Sequence, residues 1–146
     1  MRFIWLVLVM LVVGCSGPTQ TYSVVVRNEL TQPITIWLTK SGPPAEANWL
    51  SPEQIAVGEG PTGGRMAGTA VPSGKTAETA KISGKFPGGT SAILRVYVGQ
   101  HTLDELLAMS RGNSNRLDVP LAPGESNLIV RERDGKLAAE PSPEKL

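Results

Sequence analysis

Glycine and proline cut this chain at short intervals, sixteen and twelve times in 146 residues, and that punctuation limits what it can fold into. Long helices and coiled coils need uninterrupted stretches, whereas short strands joined by turns do not. Charged residues make up only 18% of the chain, too few to solvate the outer faces of a helical bundle, while a hydrophobic content of 40% suffices for one modest core. The 132 residues from Cys15 onward are enough for one ordinary domain and cramped for two.

Between the turns, about seven segments rich in Val, Ile and Thr read as strands: 22–28, 33–40, 75–85, 91–99, 116–120, 127–133 and 136–138. Asp134-Gly135 suits a tight hairpin with positive φ, Pro123-Gly124 suits a type II turn, and Pro87-Gly88-Gly89 interrupts the chain after Phe86. The pattern predicts an all-β fold, a β-sandwich or irregular barrel of about seven strands spanning 22–138.

Two short helices are predicted from their start signals. Ser51-Pro52-Glu53-Gln54 places a capping serine, a proline at the first helical position and Gln54 where a capping box needs it, with Leu50 and Ile55 able to close a hydrophobic staple. The second helix runs from Thr102 to about Arg111, with Thr102 and Glu105 as another capping box, Gly112 as terminator, and Leu103, Leu106 and Leu107 on one face. That stripe should cover an open end or side of the sandwich. Residues 57–74 hold six glycines and two prolines and are expected to form a long glycine-rich loop. The last eight residues, 139–146, offer too little apolar surface to offset ordering entropy and are expected to be a disordered tail.

The first fourteen residues have a different logic. One positive charge at Arg2 precedes an apolar run from Phe3 to Val13, then Gly14 and Cys15. As a helix, such a run reaches only about 16 Å, against the ~30 Å of a bilayer's hydrocarbon, which favours a signal peptide, residues 1–14, over a permanent span. Gly14 before Cys15, with Val12 two positions earlier, resembles the lipobox of bacterial lipoproteins. The resemblance covers residues 1–15 only. It implies cleavage before Cys15 and attachment of acyl chains such as palmitate, so that Cys15 is the lipidation site and membrane lipid the first partner. At about 0.8 kcal/mol per buried CH₂, two or three chains together anchor firmly where one does not. Cys15 is the sole cysteine, so no intrachain disulfide competes for it. Residues 15–21 then read as a tether, and the domain is placed on the periplasmic side of the cell envelope. Ser16 in place of an aspartate favours the outer over the inner membrane by the enterobacterial sorting pattern.

Fourteen basic and thirteen acidic side chains leave +1 overall, and losing Arg2 leaves thirteen of each, so no global field gathers nucleic acid. His101 is the only histidine and precedes the Thr102 cap, an ordinary structural position; Asp104 and Glu105 sit in a first helical turn, where the macrodipole accounts for them. No catalytic, cofactor-binding or metal-ligating set is assigned. Gly74-Lys75-Thr76 lacks the glycine spacing and the following helix of a phosphate loop and reads as a turn entering a strand.

Aromatic placement is the one hint of a partner. In the strands holding Ile34, Ile36 and Leu38 and holding Leu94, Val96 and Val98, alternation leaves Trp37, Arg95 and Tyr97 on the opposite face, and in the first strand it leaves Arg27. If these strands share a sheet, Arg27, Trp37, Arg95 and Tyr97 make an aromatic and guanidinium patch suited to an envelope protein or carbohydrate. The competing arrangement has the second helix or the glycine-rich loop covering them. Trp49, just before the first helix, is expected to lid the core. The resulting expectation is an envelope-anchored lipoprotein acting as a non-catalytic binding or structural module. Two alternatives stand beside it: a hydrolase using carboxylates under the glycine-rich loop, and an accessory subunit of an envelope complex.

Overall fold

The computed structural model describes residues 17–56, 68–109 and 116–146. The expected signal peptide, Cys15, most of the expected glycine-rich loop and the expected end of the second helix near Arg111 lie outside the described residues. In chain order the elements are β1 (Thr19–Asn28), β2 (Ile34–Ser41), α1 (Pro52–Ala56), β3 (Thr69–Val71), β4 (Thr76–Glu78), β5 (Ile82–Lys85), β6 (Ser91–Val98), α2 (Leu103–Met109), β7 (Arg116–Leu121), β8 (Gly124–Arg133) and β9 (Lys136–Pro141).

The strands form two sheets, as the all-β reading requires. One runs β4-β1-β8-β9, with β5 joining the other half of the β1 edge; the second runs β3-β2-β6-β7. The pairings are antiparallel except β1 with β8, which lie parallel from Tyr22 opposite Gly124 to Asn28 opposite Val130. The hairpin from β8 to β9 turns at Asp134 (φ 52°) and Gly135 (φ 73°), the left-handed pair that its twist demands and that aspartate and glycine tolerate.

Alternation builds the core. Tyr22, Val24 and Val26 of β1, Ile34, Ile36 and Leu38 of β2, Ala92, Leu94 and Val96 of β6, and Leu128 and Val130 of β8 all point between the sheets and are buried. Each large aliphatic among them contributes about 1.5–3 kcal/mol relative to an exposed position. Trp49 closes one end as expected: it stands edge-on to Tyr22 (5.5 Å between ring centroids) and Phe86 (5.2 Å), and its Nε1 donates to the Ser83 carbonyl at 3.0 Å.

Apart from shifts at other strand ends, such as β8 beginning at Gly124 and not at 127, four differences from the sequence reading have physical reasons. The stretch 75–85 is two strands. Val25 faces Glu78 while Tyr22 faces Ile82, so three residues, 79–81, oppose two on β1. That extra residue is a bulge, held by Thr79, whose N–H donates to the Val24 carbonyl at 2.9 Å while its Oγ1 accepts from the Val24 N–H at 3.0 Å. Second, residues 69–71 of the expected glycine-rich loop form β3 against Ile34–Ile36, because Val71 finds a fully buried place there. Third, β9 continues past Ala138 to Pro141, within the segment expected to be disordered. Ala139 packs on the core, and Ser142 N–H donates to the Asn127 carbonyl at 2.8 Å. Fourth, the expected tether contributes to the sandwich, since β1 starts at Thr19 and pairs with Lys85.

Candidate functional site

The outer face of the β2–β6 sheet is where the aromatic patch was expected, and helices occupy it. Each helix starts as its sequence specifies: Ser51 Oγ accepts from Gln54 N–H (3.2 Å) and Gln54 Oε1 from Ser51 N–H (2.9 Å), with the same reciprocal pair between Thr102 and Glu105 (3.3 and 2.8 Å). Ile55 of α1 and Leu103, Leu106 and Met109 of α2 then pack on Trp37 and Tyr97, which are 2% and 1% exposed. Trp37 Nε1 donates to the Leu50 carbonyl at 3.0 Å.

The four expected contact residues are therefore not one surface. Trp37 and Tyr97 are a second core, Arg95 is enclosed beside them, and Arg27 lies on the other sheet, exposed and 3.7 Å from Glu29. The premise that β1, β2 and β6 share a sheet fails, because β1 pairs with β4, β5 and β8 instead. The covering helix is the competing arrangement already contained in the pattern: an apolar stripe on α2 and outward aromatics on β2 and β6 bury each other.

Beside this second core lies a ring of four charges that the sequence did not single out. Glu53 of α1 receives Arg95 on one carboxylate oxygen and Arg116 on the other (2.7 Å), and Asp118 Oδ1 forms ion pairs with both arginines, 3.3 Å from Arg95 Nε and 3.2 Å from Arg116 Nε. Burial alone would raise the Glu53 pKa; hydrogen bonds with its own backbone, Ser51 and Arg95, and the Arg95 charge, outweigh it and leave the carboxyl below its ordinary value. For Arg95, burial pulls the guanidinium pKa down, but Glu53 and Asp118 more than restore it. Each of the two carboxylates faces both arginines, an arrangement that clamps α1 to β6 and β7, with Glu53 favoured as its anion. The sequence marked Arg95 as outward-facing and placed Glu53 at the start of a helix, but nothing local joined either of them to Arg116 and Asp118.

Arg116 carries the ring to the rim of an open cleft of about 610 Å³. The cleft lies where the two sheets part, between edge strands β7 and β9 and the loop after β1. Leu30, Val98, Leu117 and Leu137 give it an apolar floor; Gln32, Arg116, Glu132 and Lys136 stand at its margin, with Glu132 and Lys136 exposed. Leu117 and Leu137 open their strands, and only the closeness of two strand starts distant in sequence brings them together.

The other sequence candidates have structural roles. His101 Nε2 lies 2.6 Å from the Val98 carbonyl and its Nδ1 3.6 Å from Glu105, within the entry to α2. Gly74 has φ 69° in a turn into β4. Among the described residues no cluster of three His, Cys, Asp or Glu could hold a metal, and no helix is long and apolar enough to cross a membrane. Fold and site together define a two-sheet sandwich with one helix-covered face and a cleft at one end. No protein-family model, curated protein or solved structure matches the chain.

Proposed function

We propose that this chain is an envelope lipoprotein, held in the membrane through acylated Cys15, whose sandwich is a non-catalytic binding module with its ligand site in the β7–β9 cleft. The observation that carries the binding role is the open cleft in which partly buried Leu30, Leu117 and Leu137 lie among polar side chains, with Arg116 held by Glu53 and Asp118. An apolar floor with charges of both signs around it suits an amphipathic segment of an envelope protein. A carbohydrate is less well served, because among the described residues the cleft lining contains no aromatic ring, and Trp37 and Tyr97 are buried.

The test uses anilinonaphthalene sulfonate, whose rings match the floor and whose anion matches Arg116 and Lys136. Saturable, one-to-one fluorescence enhancement is expected with the native protein, and a loss of about tenfold in affinity with Leu137→Glu, which puts a charge on the floor. Native protein that leaves the dye dark, or a Leu137→Glu variant that binds it equally well, overturns the reading.

A further inference from the structure

The chain between Cys15 and the sandwich has almost no slack. Thr19–Tyr22 pair with Ile82–Lys85, the Phe86 N–H donates to the Pro18 carbonyl at 3.0 Å, and Gly17 lies so close to Pro87 that an added Cβ would collide with its backbone. From Gly17 back to Cys15 is two residues, about 7 Å fully extended. A group attached at Cys15 is thus held close to the sandwich end where β1 begins.

Register identifies what else lies at that end. Ser41 faces Ser91, Ala92 faces Leu121 and Tyr22 faces Gly124, so the loops 42–45, 87–90 and 122–124 cluster around the start of β1. None of the three contains a charged residue, and Gly42, Pro43, Gly88, Gly89, Ala122 and Pro123 are exposed. Charged residues stand behind them: Lys40 pairs with Glu46 and Glu125 with Lys145 at 3.8 Å, while Lys85 is exposed opposite Thr19 and the tail brings exposed Glu144 to the same end. At the opposite end, where the cleft opens, the loops themselves carry charge, with Glu29 after β1, Lys75 before β4 and Asp134 between β8 and β9. That the loop tips at the end where the chain would be anchored are uncharged is an observation independent of the cysteine.

We propose that the domain rests with these uncharged loops directly on the lipid headgroups, without a flexible stalk, so that the β7–β9 cleft opens away from the membrane. The inference rests on the lipoprotein reading. Burying charged loops against a bilayer would cost desolvation that glycine, proline and alanine loops avoid. The ten residues of β1 set the cleft end about 30 Å further out.

The full chain is expressed in bacteria with a single new thiol, at Gly88→Cys or Lys75→Cys. Gly88 has open space around it and Lys75 is exposed, so neither change disturbs packing. Each variant is labelled with a fluorophore and placed in phosphatidylethanolamine–phosphatidylglycerol vesicles carrying a headgroup-linked nitroxide, and the N-terminal peptide is weighed in parallel. With about 30 Å between the positions, the label at 88 is expected to be quenched at least about threefold more strongly than that at 75. Eight Gly/Ser residues inserted before Gly17 should abolish that difference while leaving the lipid mass unchanged. Lipidated protein with both labels equally quenched, or neither, overturns the orientation alone. Protein that lacks the lipid mass and washes off membranes overturns the lipoprotein reading and the orientation with it.

Discussion

The two outer faces of the sandwich start from the same kind of sequence and end in opposite environments. On the β2–β6 sheet the outward positions Trp37, Arg95 and Tyr97 lie beneath α1 and α2. On the β1–β8 sheet the outward positions Arg27 and Arg131 are exposed, and Arg131 and Arg133 pair with Glu140 at the surface. Both faces alternate with period two, and both mix apolar and charged residues. The difference is a long-range partner: two capped helices with Ile55, Leu103 and Leu106 to bury cover one face, while surface ion pairs edge the other. An arginine is correspondingly worth different amounts on the two faces, since a pair shielded from water couples far more strongly than one in it.

The largest expected effect tests the covered face. Trp37→Ala removes a ring and its hydrogen bond from a packed site and should cost about 3–5 kcal/mol, lowering the thermal midpoint by roughly 10–20 °C. An unchanged midpoint in a melting experiment would mean that the helices do not seal this face. Leu106→Ala, from the helix side of the same contact, should cost about 2–4 kcal/mol by denaturant titration, and a value under about 1 would make α2 a loose attachment.

Glu53→Gln sharpens the comparison electrostatically and is expected to cost about 1 kcal/mol at neutral pH, because the site is only partly shielded. Its pH dependence is more telling. The folded-state pKa of Glu53 lies below its unfolded value, so its contribution is complete above the ordinary carboxylate range and is lost as pH falls through the folded value. Wild type should therefore lose stability on acidification more steeply than Glu53→Gln; parallel acid limbs in the two melting curves would remove the ring from the account. Smallest of all is Glu140→Gln. Its carboxyl is also pushed down, by hydrogen bonds from Arg131 and Arg133, yet it is open to solvent, and in ~0.15 M salt the melting midpoint should not move measurably. A clear drop would mean that the exposed face carries energy it should not have.

What the sequence by itself determined is local. Ser51 with Gln54, Thr102 with Glu105, and Asp134-Gly135 act through neighbours within four residues, and each forms the cap or turn its residues specify. The run of short alternating segments likewise settled that the chain makes strands in an all-β fold. Alternation, however, marks two faces without saying which of them meets water, and the inner face of β2 reads much like its outer face. That choice, the parallel seat of β8 beside β1, the bulge at residues 79–81, the charge ring and the cleft between β7 and β9 all depend on segments far apart in the chain. Only the tertiary structure decided them, because burial and ion pairing are set by what packs against a residue, and no short stretch of sequence contains both partners.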